Sequence, residues 1–531
     1  MGEALRRRPP AWALAAVLAV AYLVLQPPTA DHAAQHYRAS LGLAIWDGGW
    51  YAGHHLPAYS VLFPPLASVL GVRVTGALSA VAAAALFERL VRDRFPPTAA
   101  WISSFWFALG TAAGLVSGRL TFLLGVAVGL GALLAASRGR RAAAAVLAAL
   151  TALASPVAAT FVALAAAAWL VGTRPPGGRP GWRGPAGPAA LALAALAPAV
   201  LLAYAFPEGG AFPFVASSFW PTVPAIVALA LVLPRDQPVL RAGAALYVLA
   251  LVASFVLSTP MGGNAARLGS LAAGPVAAAA LWGRRPVALA LLAVPLLWLQ
   301  WGAAVDDWAR AASDASVHRA YYDGLVGELR RRAGPPGAST GRLEVPFTDN
   351  HWESRWLAPN VPLARGWERQ LDRERNALFY DDRPLTPARY RRWLDDHAVR
   401  WVALPDAPID YSSAAEAQLV RDGLPYLREV WRDPHWRLFA VRDPAPVARG
   451  AARPAAATLG PQSVALRAGA AGTLDVRVRW SPYWFLERGR GCVAEGQGGW
   501  LRVALRAPGE VRLGMRFSPG RVGAAGARCT A

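Results

Sequence analysis

The feature that most constrains the fold of this chain is a series of eleven apolar runs within its first 304 residues. The runs cover residues 11–25, 74–91, 97–116, 120–136, 142–154, 156–171, 188–206, 221–234, 240–258, 269–283 and 286–304. A helix that crosses a bilayer needs roughly 20 mostly apolar residues, and fewer where the bilayer is locally thin. The sequence therefore predicts a polytopic α-helical membrane domain of about 11 transmembrane helices over residues 1–304.

Charged residues divide the chain at the same place. Residues 1–304 hold seven of the 33 Asp and Glu residues, and residues 305–531 hold the other 26, which places a domain boundary near Val305. The net charge of +21 is carried by arginine alone, since the chain has no lysine. In the first region the arginines lie in short loops rather than on one basic face, which argues against nucleic-acid binding.

Arginine-rich loops alternate with arginine-poor loops along the membrane region. The rich loops are 89–94, 138–141, 174–183, 235–241 and 284–285, and the poor loops are 26–57, 117–119, 207–220 and 259–268. The positive-inside rule then predicts a multi-pass protein of the plasma membrane with a cytoplasmic N-terminus and an extracytoplasmic C-terminal region. The first run follows Arg6-Arg7-Arg8 but has no clear cleavage site, so we interpret it as a retained anchor. Residues 142–171 are divided by Ser155-Pro156 and form either two crossings or a broken hairpin, with both ends cytoplasmic in each case.

The first outside loop, residues 26–57, is long in a protein whose other membrane loops are short, and long ordered loops are often functional. Asp31 follows the first run by a few residues, so its carboxylate is expected near the headgroup plane, where partial desolvation favours a base. His32 and His36 are spaced to share one face of a helix. Ordinary hydrogen bonding of this loop to headgroups remains an alternative.

Aromatic residues and histidines continue through the loop. Trp46, Trp50 and Tyr51 suit contact with membrane lipid at the interface. Histidine with carboxylate also suits zinc, but the spacing matches no recognised ligand signature. No cofactor is therefore predicted, and a divalent metal is left as an open alternative.

The pattern Asp31-His32-x-x-x-His36, followed by Trp46-Asp47 and Trp50-Tyr51-x-Gly53-His54, resembles the GT-C superfamily of integral-membrane glycosyltransferases. The resemblance implies a GT-C-like fold, a polyprenyl-phosphate-linked sugar donor, and a cell-envelope acceptor that is a glycan, a lipid-linked glycan or a protein. It also implies that Asp31 acts as a base or orients the acceptor. The loop has no Asp-x-Asp pair, so the resemblance does not extend to metal-dependent members.

Further site residues are predicted on this reading. His32 and His36 are candidates for assisting Asp31 as proton carriers or hydrogen-bond donors. The candidates for acceptor or sugar binding are Asp47, Trp50, Tyr51 and His54.

A second outside loop has the composition of an anion site. The segment TPMGGNAARLGS, residues 259–270, combines a Gly-rich turn with Asn264 and Arg267, and backbone amides beside a guanidinium bind phosphate well. Arg119, in the Ser117-Gly118-Arg119 turn, is a further candidate. We therefore predict that the donor phosphate binds here, although an arginine that only snorkels to headgroups would show the same pattern.

The C-terminal region has two parts. Alternating helix and strand patterns over residues 305–445 predict an extracytoplasmic α/β domain, in which Trp352 and Trp367 either contact sugar or pack into the core. After a linker at 444–461, alternating segments over 462–531 predict a β-sandwich-like module that either binds carbohydrate or is purely structural. Cys492 and Cys529 form a disulfide in an oxidising compartment or remain free thiols.

Together these features predict a membrane glycosyltransferase. Two other classes remain open: a transporter or flippase, and a non-catalytic envelope scaffold with the same fold. Against transport, the apolar runs carry almost no charge and show no clear internal repeat.

Overall fold

A computed structural model describes residues 8–173 and 186–530. Among the sequence features above, Arg6, Arg7 and the loop 174–183 lie outside the described residues. The chain forms two compact units. The membrane unit comprises Met1–Gln35, Tyr59–Ala203 and Gly210–Ala312, and the soluble unit comprises His36–Ala58, Tyr204–Gly209 and Ser313–Ala531.

The membrane unit is built from helices. In chain order they are α1 (Ala11–Leu25), α2 (Ala30–Leu41), which continues into the soluble unit, α3 (Phe63–Leu70), α4 (Val72–Arg92), α5 (Pro97–Val116), α6 (Leu120–Ser137), α7 (Arg141–Ala154), α8 (Pro156–Gly172), α9 (Ala186–Ala205), α10 (Ala216–Val232), α11 (Pro238–Val256), α12 (Ala266–Leu281) and α13 (Pro286–Ala312). Each of the eleven predicted apolar runs falls on one of these helices. The unit extends beyond the predicted boundary at 304 because α13 continues unbroken to Ala312.

Within residues 8–173 and 186–530, six helices are long and apolar enough to cross a membrane, namely α4, α5, α6, α9, α11 and α13. A seventh crossing is added if the bent pair α1 and α2 is one span, while α7, α8 and α10 are shorter apolar helices. The chain is therefore a multi-pass membrane protein, and the figure of eleven crossings stays a prediction. The break between α7 and α8 is a helix cap, because the Ser155 side chain accepts a hydrogen bond from the Ala158 amide and Pro156 begins α8.

Small residues set the packing inside this unit. An alanine-rich cluster from α6, α7, α8 and α9 is buried, and small side chains let helix backbones approach closely where lipid supplies no hydrophobic drive. Gly125 of α6 shows how close, since an added Cβ there would lie 2.7 Å from the Cβ of Ala158. In contrast, only 17% of the α9 window and 11% of the α11 window are buried inside the protein, as expected of surfaces that face lipid.

The soluble unit contains a four-stranded sheet with helices. Its strands are β3 (Arg342–Glu344), β4 (Val399–Pro405), β5 (Leu427–Arg432) and β6 (Trp436–Val441), in the order β3-β4-β6-β5. Only β3 and β4 are parallel. The accompanying helices are α14 (Ala320–Ala333), α15 (Glu353–Trp356), α16 (Arg369–Arg375), α17 (Pro387–Asp396) and α18 (Ala414–Asp422). The core packs Tyr390 and Leu394 of α17 against Val402 and Phe439, in agreement with the predicted α/β layers.

Two further sheets of this unit form a sandwich. One has the order β15-β12-β13-β10-β7 and the other β11-β14-β9-β8. The strands are β7 (Ala448–Arg449), β8 (Thr458–Leu459), β9 (Ser463–Ala468), β10 (Gly472–Arg479), β11 (Trp484–Arg488), β12 (Gly491–Glu495), β13 (Trp500–Leu505), β14 (Gly509–Met515) and β15 (Arg528–Cys529). Alternate residues of both sheets meet in one apolar core.

The sandwich differs from the prediction in its extent. Strands β7 and β8 lie within 444–461, where the composition predicts a linker. Its Ala and Pro content does not indicate strands, and the two strands have only two residues each. A two-stranded hairpin from the first outside loop, β1 (Trp46–Asp47) with β2 (His54–His55), also belongs to the soluble unit, and Trp46 is part of the sandwich core. Cys492 and Cys529 are joined by a disulfide between β12 and β15.

Candidate functional site

The corner between α1 and α2 positions the first candidate residues. The two helices meet at 84°, with Pro27 and Pro28 in the break. The buried imidazole of His32 contacts the Tyr22 hydroxyl at 2.8 Å through Nε2 and the Thr29 hydroxyl at 3.0 Å through Nδ1. Because both ring nitrogens are engaged, His32 holds the corner together.

Asp31 lies in the first turn of α2, where the helix dipole favours a carboxylate. It is half-buried, and the part of the chain that the structure describes offers its carboxylate no hydrogen-bond partner. The turn between α5 and α6 packs directly against it. Gly118 in this turn has φ +72°, and an added Cβ would lie 2.8 Å from the Cβ of Asp31. This close approach leaves no room for a side chain beside the carboxylate.

Two arginines face this region from neighbouring helices. Arg267 of α12 interacts electrostatically with Asp31 and with Arg119, the residue that precedes α6. Its guanidinium lies over the ring of Phe122, 5.8 Å from the centroid. Both arginines line a narrow cleft of ≈ 20 Å³, about the volume of one water molecule, whose other walls include Phe122, Ser270 and Gln300. The predicted cations therefore come together at Asp31.

The third predicted phosphate ligand does not join them. Asn264 lies in a 3₁₀ turn over Gly262–Ala265, its side-chain amide donates to the Pro260 carbonyl at 3.5 Å, and it does not line the cleft. The Gly-rich composition correctly indicated a turn, and the role of Asn264 in phosphate binding stays a prediction.

One acid of the site was missed from the sequence. Asp307, near the end of α13, interacts electrostatically with Asp31 and Arg119 and accepts a hydrogen bond from Arg310. The charge of the residues beyond 304 predicts that they belong to the soluble part. Asp307 instead lies in α13, which belongs to the membrane unit as far as Ala312. The usable signal was the helical continuation of the last apolar run through 305–312.

Asp47 has a different setting, inside the soluble unit. It is fully buried, and its Oδ1 accepts hydrogen bonds from the Tyr37 hydroxyl at 2.8 Å and the Gly49 amide at 2.7 Å. Burial raises the pKa of Asp47 to about 7, despite the opposing hydrogen bonds. Its Oδ2 lies 3.7 Å from Nδ1 of His54, and burial lowers the pKa of His54 to about 3. Asp47 thus faces a neutral imidazole in a closed environment.

The aromatic residues of the loop are packed around this carboxylate. Trp50 stacks on Tyr37 with centroids 4.5 Å apart and on His54 with centroids 5.9 Å apart. The Tyr51 hydroxyl donates to the Gly366 carbonyl and accepts from the Glu368 amide at 3.0 Å. Trp50 and Tyr51 are at most 1% exposed, so in this conformation they offer no open face to a sugar. Their role in acceptor or sugar binding stays a prediction.

The remaining candidates lie in the α/β part of the soluble unit. His36 is half-buried against Trp352, with ring centroids 6.2 Å apart, and Trp352 is itself buried beside Trp356. Trp367 stacks on His351 at 3.5 Å, and the guanidinium of Arg369 lies over its ring. Both tryptophans are thus engaged by protein side chains. Across residues 8–173 and 186–530 there is no group of three or more His, Cys, Asp or Glu residues that could hold a metal ion.

Comparisons with known proteins find a likeness among solved structures. No protein-family model matches the chain, and no curated protein does either. Among solved structures, the chain is similar to the crystal structure of ArnT from Cupriavidus metallidurans in the apo state, with 14% identity and a TM-score of 0.39. The match covers 80% of this chain and 97% of that chain. A likeness at this level does not establish an activity, so the function is inferred from the residues of this chain.

Proposed function

We propose that the chain is a membrane glycosyltransferase that moves a sugar from a polyprenyl-phosphate-linked donor to an extracytoplasmic cell-envelope acceptor. One observation carries the proposal. The Asp31 carboxylate is half-buried, has no hydrogen-bond partner in the described residues, and lies within electrostatic range of Arg267. A carboxylate without a partner can accept a proton, and a neighbouring cation can stabilise an anion that leaves. The pair therefore suits a reaction that removes a proton and releases an anion.

The chemistry divides between these groups. An acceptor hydroxyl hydrogen-bonds to Asp31, which takes its proton as the oxygen attacks the anomeric carbon. The bond between that carbon and the phosphate oxygen breaks, and its electron pair leaves with the polyprenyl phosphate. Arg267 and Arg119 stabilise the charge that develops on the phosphate. The cleft beside them is narrow, so the phosphate is expected to bind at its mouth.

In this scheme His32 is a positioning residue. Its two nitrogens hold Tyr22 and Thr29, and that network fixes the direction in which α2 starts. Asp31 is the next residue in the chain, so the same network fixes the place of its carboxylate. We therefore assign proton transfer to Asp31 alone.

The test measures transfer of label from radiolabelled polyprenyl-phosphate sugars to endogenous acceptors in membranes. Asp31→Asn keeps the shape of the side chain but cannot accept the proton, so we expect transfer to fall by roughly 10²-fold or more. Asp236→Asn is the matched control, since Asp236 is an exposed loop carboxylate of the same unit paired with Arg284. We expect this control to transfer at the wild-type rate.

The other results have definite meanings. Equal transfer by wild type and Asp31→Asn, at equal expression, would remove Asp31 from the mechanism. Transfer by neither, across the available donor sugars, would favour a non-catalytic scaffold.

A further inference from the structure

An open cleft beside a cluster of charged residues lies in the soluble unit, apart from the residues used in the proposed reaction. Its volume is ≈ 370 Å³, and it is lined by Glu374, Arg375, Arg479, Trp480, Glu495 and Gly499. We call it the Trp480 cleft. Binding sites for small molecules range from about 300 to 1,000 Å³, so this cleft has the size of a ligand site.

Four of the six lining residues belong to the sandwich, and Glu374 and Arg375 belong to α16. Arg479 ends β10 and Glu495 ends β12. The backbone amide of Trp480 donates to the Gly499 carbonyl at 2.9 Å, and the Trp480 ring packs on the edge of the sandwich core. Gly499 has φ +73°, a conformation that favours glycine and lets this loop turn back towards Trp480. The cleft is therefore a preformed feature of the fold.

The donors and acceptors in the cleft are only partly used by the protein. Arg375 is committed to Glu208 and to the Gly53 carbonyl. Within the described residues, the guanidinium of Arg479 makes one hydrogen bond, from Nη1 to the Gly498 carbonyl at 3.2 Å, and lies over the ring of Trp500. Glu374 and Glu495 are exposed and present their carboxylates to solvent.

The charges of the cleft restrict the ligand. A simple anion would meet two exposed glutamates, and a simple cation would meet the guanidinium of Arg479, since that of Arg375 is paired with Glu208. An uncharged polyhydroxylated molecule avoids both penalties, because each hydroxyl donates to a carboxylate and accepts from a guanidinium. The half-buried face of Trp480 adds a flat apolar surface for the C–H face of a sugar ring.

We propose that the Trp480 cleft binds an uncharged oligosaccharide. The same cleft geometry holds whether or not the membrane unit transfers a sugar. The inference therefore stands separately from the proposed reaction.

The experiment uses the full chain in phosphatidylcholine nanodiscs, because the headgroup of a maltoside detergent is itself a sugar and would compete. Titration calorimetry with neutral mannan, galactan, arabinan and glucan oligosaccharides is expected to show saturable binding of at least one. Trp480→Ala should weaken that binding roughly tenfold, and Glu495→Gln several-fold. Since Glu495 is exposed, its variant tests the cleft without endangering the fold.

Two matched controls separate the cleft from general effects. Trp431→Ala removes a half-buried tryptophan of β5, and Glu510→Gln changes an exposed glutamate of β14, both outside the cleft. Both controls should bind oligosaccharide as the wild type does.

Three results would overturn the proposal. One is the absence of binding by every neutral oligosaccharide. A second is equal binding by wild type, Trp480→Ala and Glu495→Gln. The third is binding of inorganic phosphate or of oligogalacturonate in place of the neutral sugars, which would make the cleft an anion site.

Discussion

At the scale of single residues, two aspartates of the same loop have opposite environments. Asp31 is half-buried and lacks a hydrogen-bond partner in the described residues, whereas Asp47 is fully buried and accepts two hydrogen bonds through one oxygen. The first is suited to react with a substrate, and the second is suited to organise the residues around it. Exposure and hydrogen bonding make this difference, since Tyr37 and Gly49 of the same loop donate to Asp47 alone.

The buried state of Asp47 predicts a pH-dependent stability. Its folded pKa of about 7 lies above the unfolded value of roughly 3.9. The folded chain therefore binds this proton more tightly, and the associated stability is present below about pH 4 and is lost as the pH rises to about 7. The full loss is roughly 4 kcal/mol. Asp47→Asn keeps an acceptor oxygen but cannot ionise, so its unfolding temperature should exceed that of the wild type at pH 8.

Differential scanning calorimetry of the soluble unit's transition checks this expectation. The gap between Asp47→Asn and wild type should narrow as the pH is lowered to 5, because the wild-type carboxyl then becomes protonated. Asp382→Asn, at an exposed position, provides the control and should show no gap at either pH. A gap of constant size would show that the aspartate is not protonated in this range.

At the scale of elements, the site depends on a contact between a helix start and a turn. Helix α2 begins after the corner held by His32, and the turn between α5 and α6 packs against Asp31 through Gly118. Gly118 meets two demands at once, a positive φ and the absence of a side chain. Asp31 is thereby held in place by elements that are distant in sequence.

Gly118→Ala is predicted to damage this contact. Alanine at φ +72° is strained by about 1 kcal/mol, and its Cβ would press on Asp31. Gly139→Ala is a close control, because Gly139 has φ +73° but nothing within 4 Å of an added Cβ. Both variants should lose similar stability from backbone strain. Transfer of labelled sugar should fall strongly in Gly118→Ala alone, and an equal fall in both would assign the effect to strain.

The sequence predicted the elements well and their contacts poorly. Apolar runs located the helices α4 to α13 within a few residues, because a helix in lipid must be apolar along most of its length. The grouping of Arg119 and Arg267 near Asp31 was also predicted, since outside loops of one bundle end at the same face. Asp307 was missed because its charge resembled that of the soluble part. The burial of Trp50 was missed because one side of its ring packs against Gly366, which lies more than 300 residues later in the chain.

At the scale of the whole molecule, the soluble unit is assembled from three separate stretches of chain. Residues 36–58 supply Trp46 to the sandwich core, and the Leu363 amide donates to the Gly49 carbonyl at 2.8 Å. Residues 204–209 supply Glu208, which pairs with Arg375. A cut at residue 312 would therefore remove residues 36–58 and 204–209, which pack within the soluble unit, from the rest of that unit.

This organisation predicts that residues 313–531 fold poorly alone. Burial of a large apolar side chain contributes about 1.5–3 kcal/mol, and the first stretch buries Trp46, Trp50 and Tyr51. Fusing residues 36–58 to the fragment through a flexible linker should raise its unfolding temperature, measured by circular dichroism. The same fusion with Trp46 and Trp50 replaced by Ser should not. Equal unfolding temperatures for all three would mean that the loop is dispensable.

The assembly of the soluble unit from separate stretches also determines how late in translation its core can form. Trp46 is made early, whereas Trp484, whose ring packs against it, is made near the end of the chain. At translation rates of ~5–20 residues per second, the interval between the two lasts ~20–90 s. During that time a loop rich in tryptophan has emerged without the partners that will cover it. During this interval the exposed aromatic loop makes the nascent protein prone to aggregation and proteolysis. A chaperone that binds aromatic segments would protect the chain during the same interval.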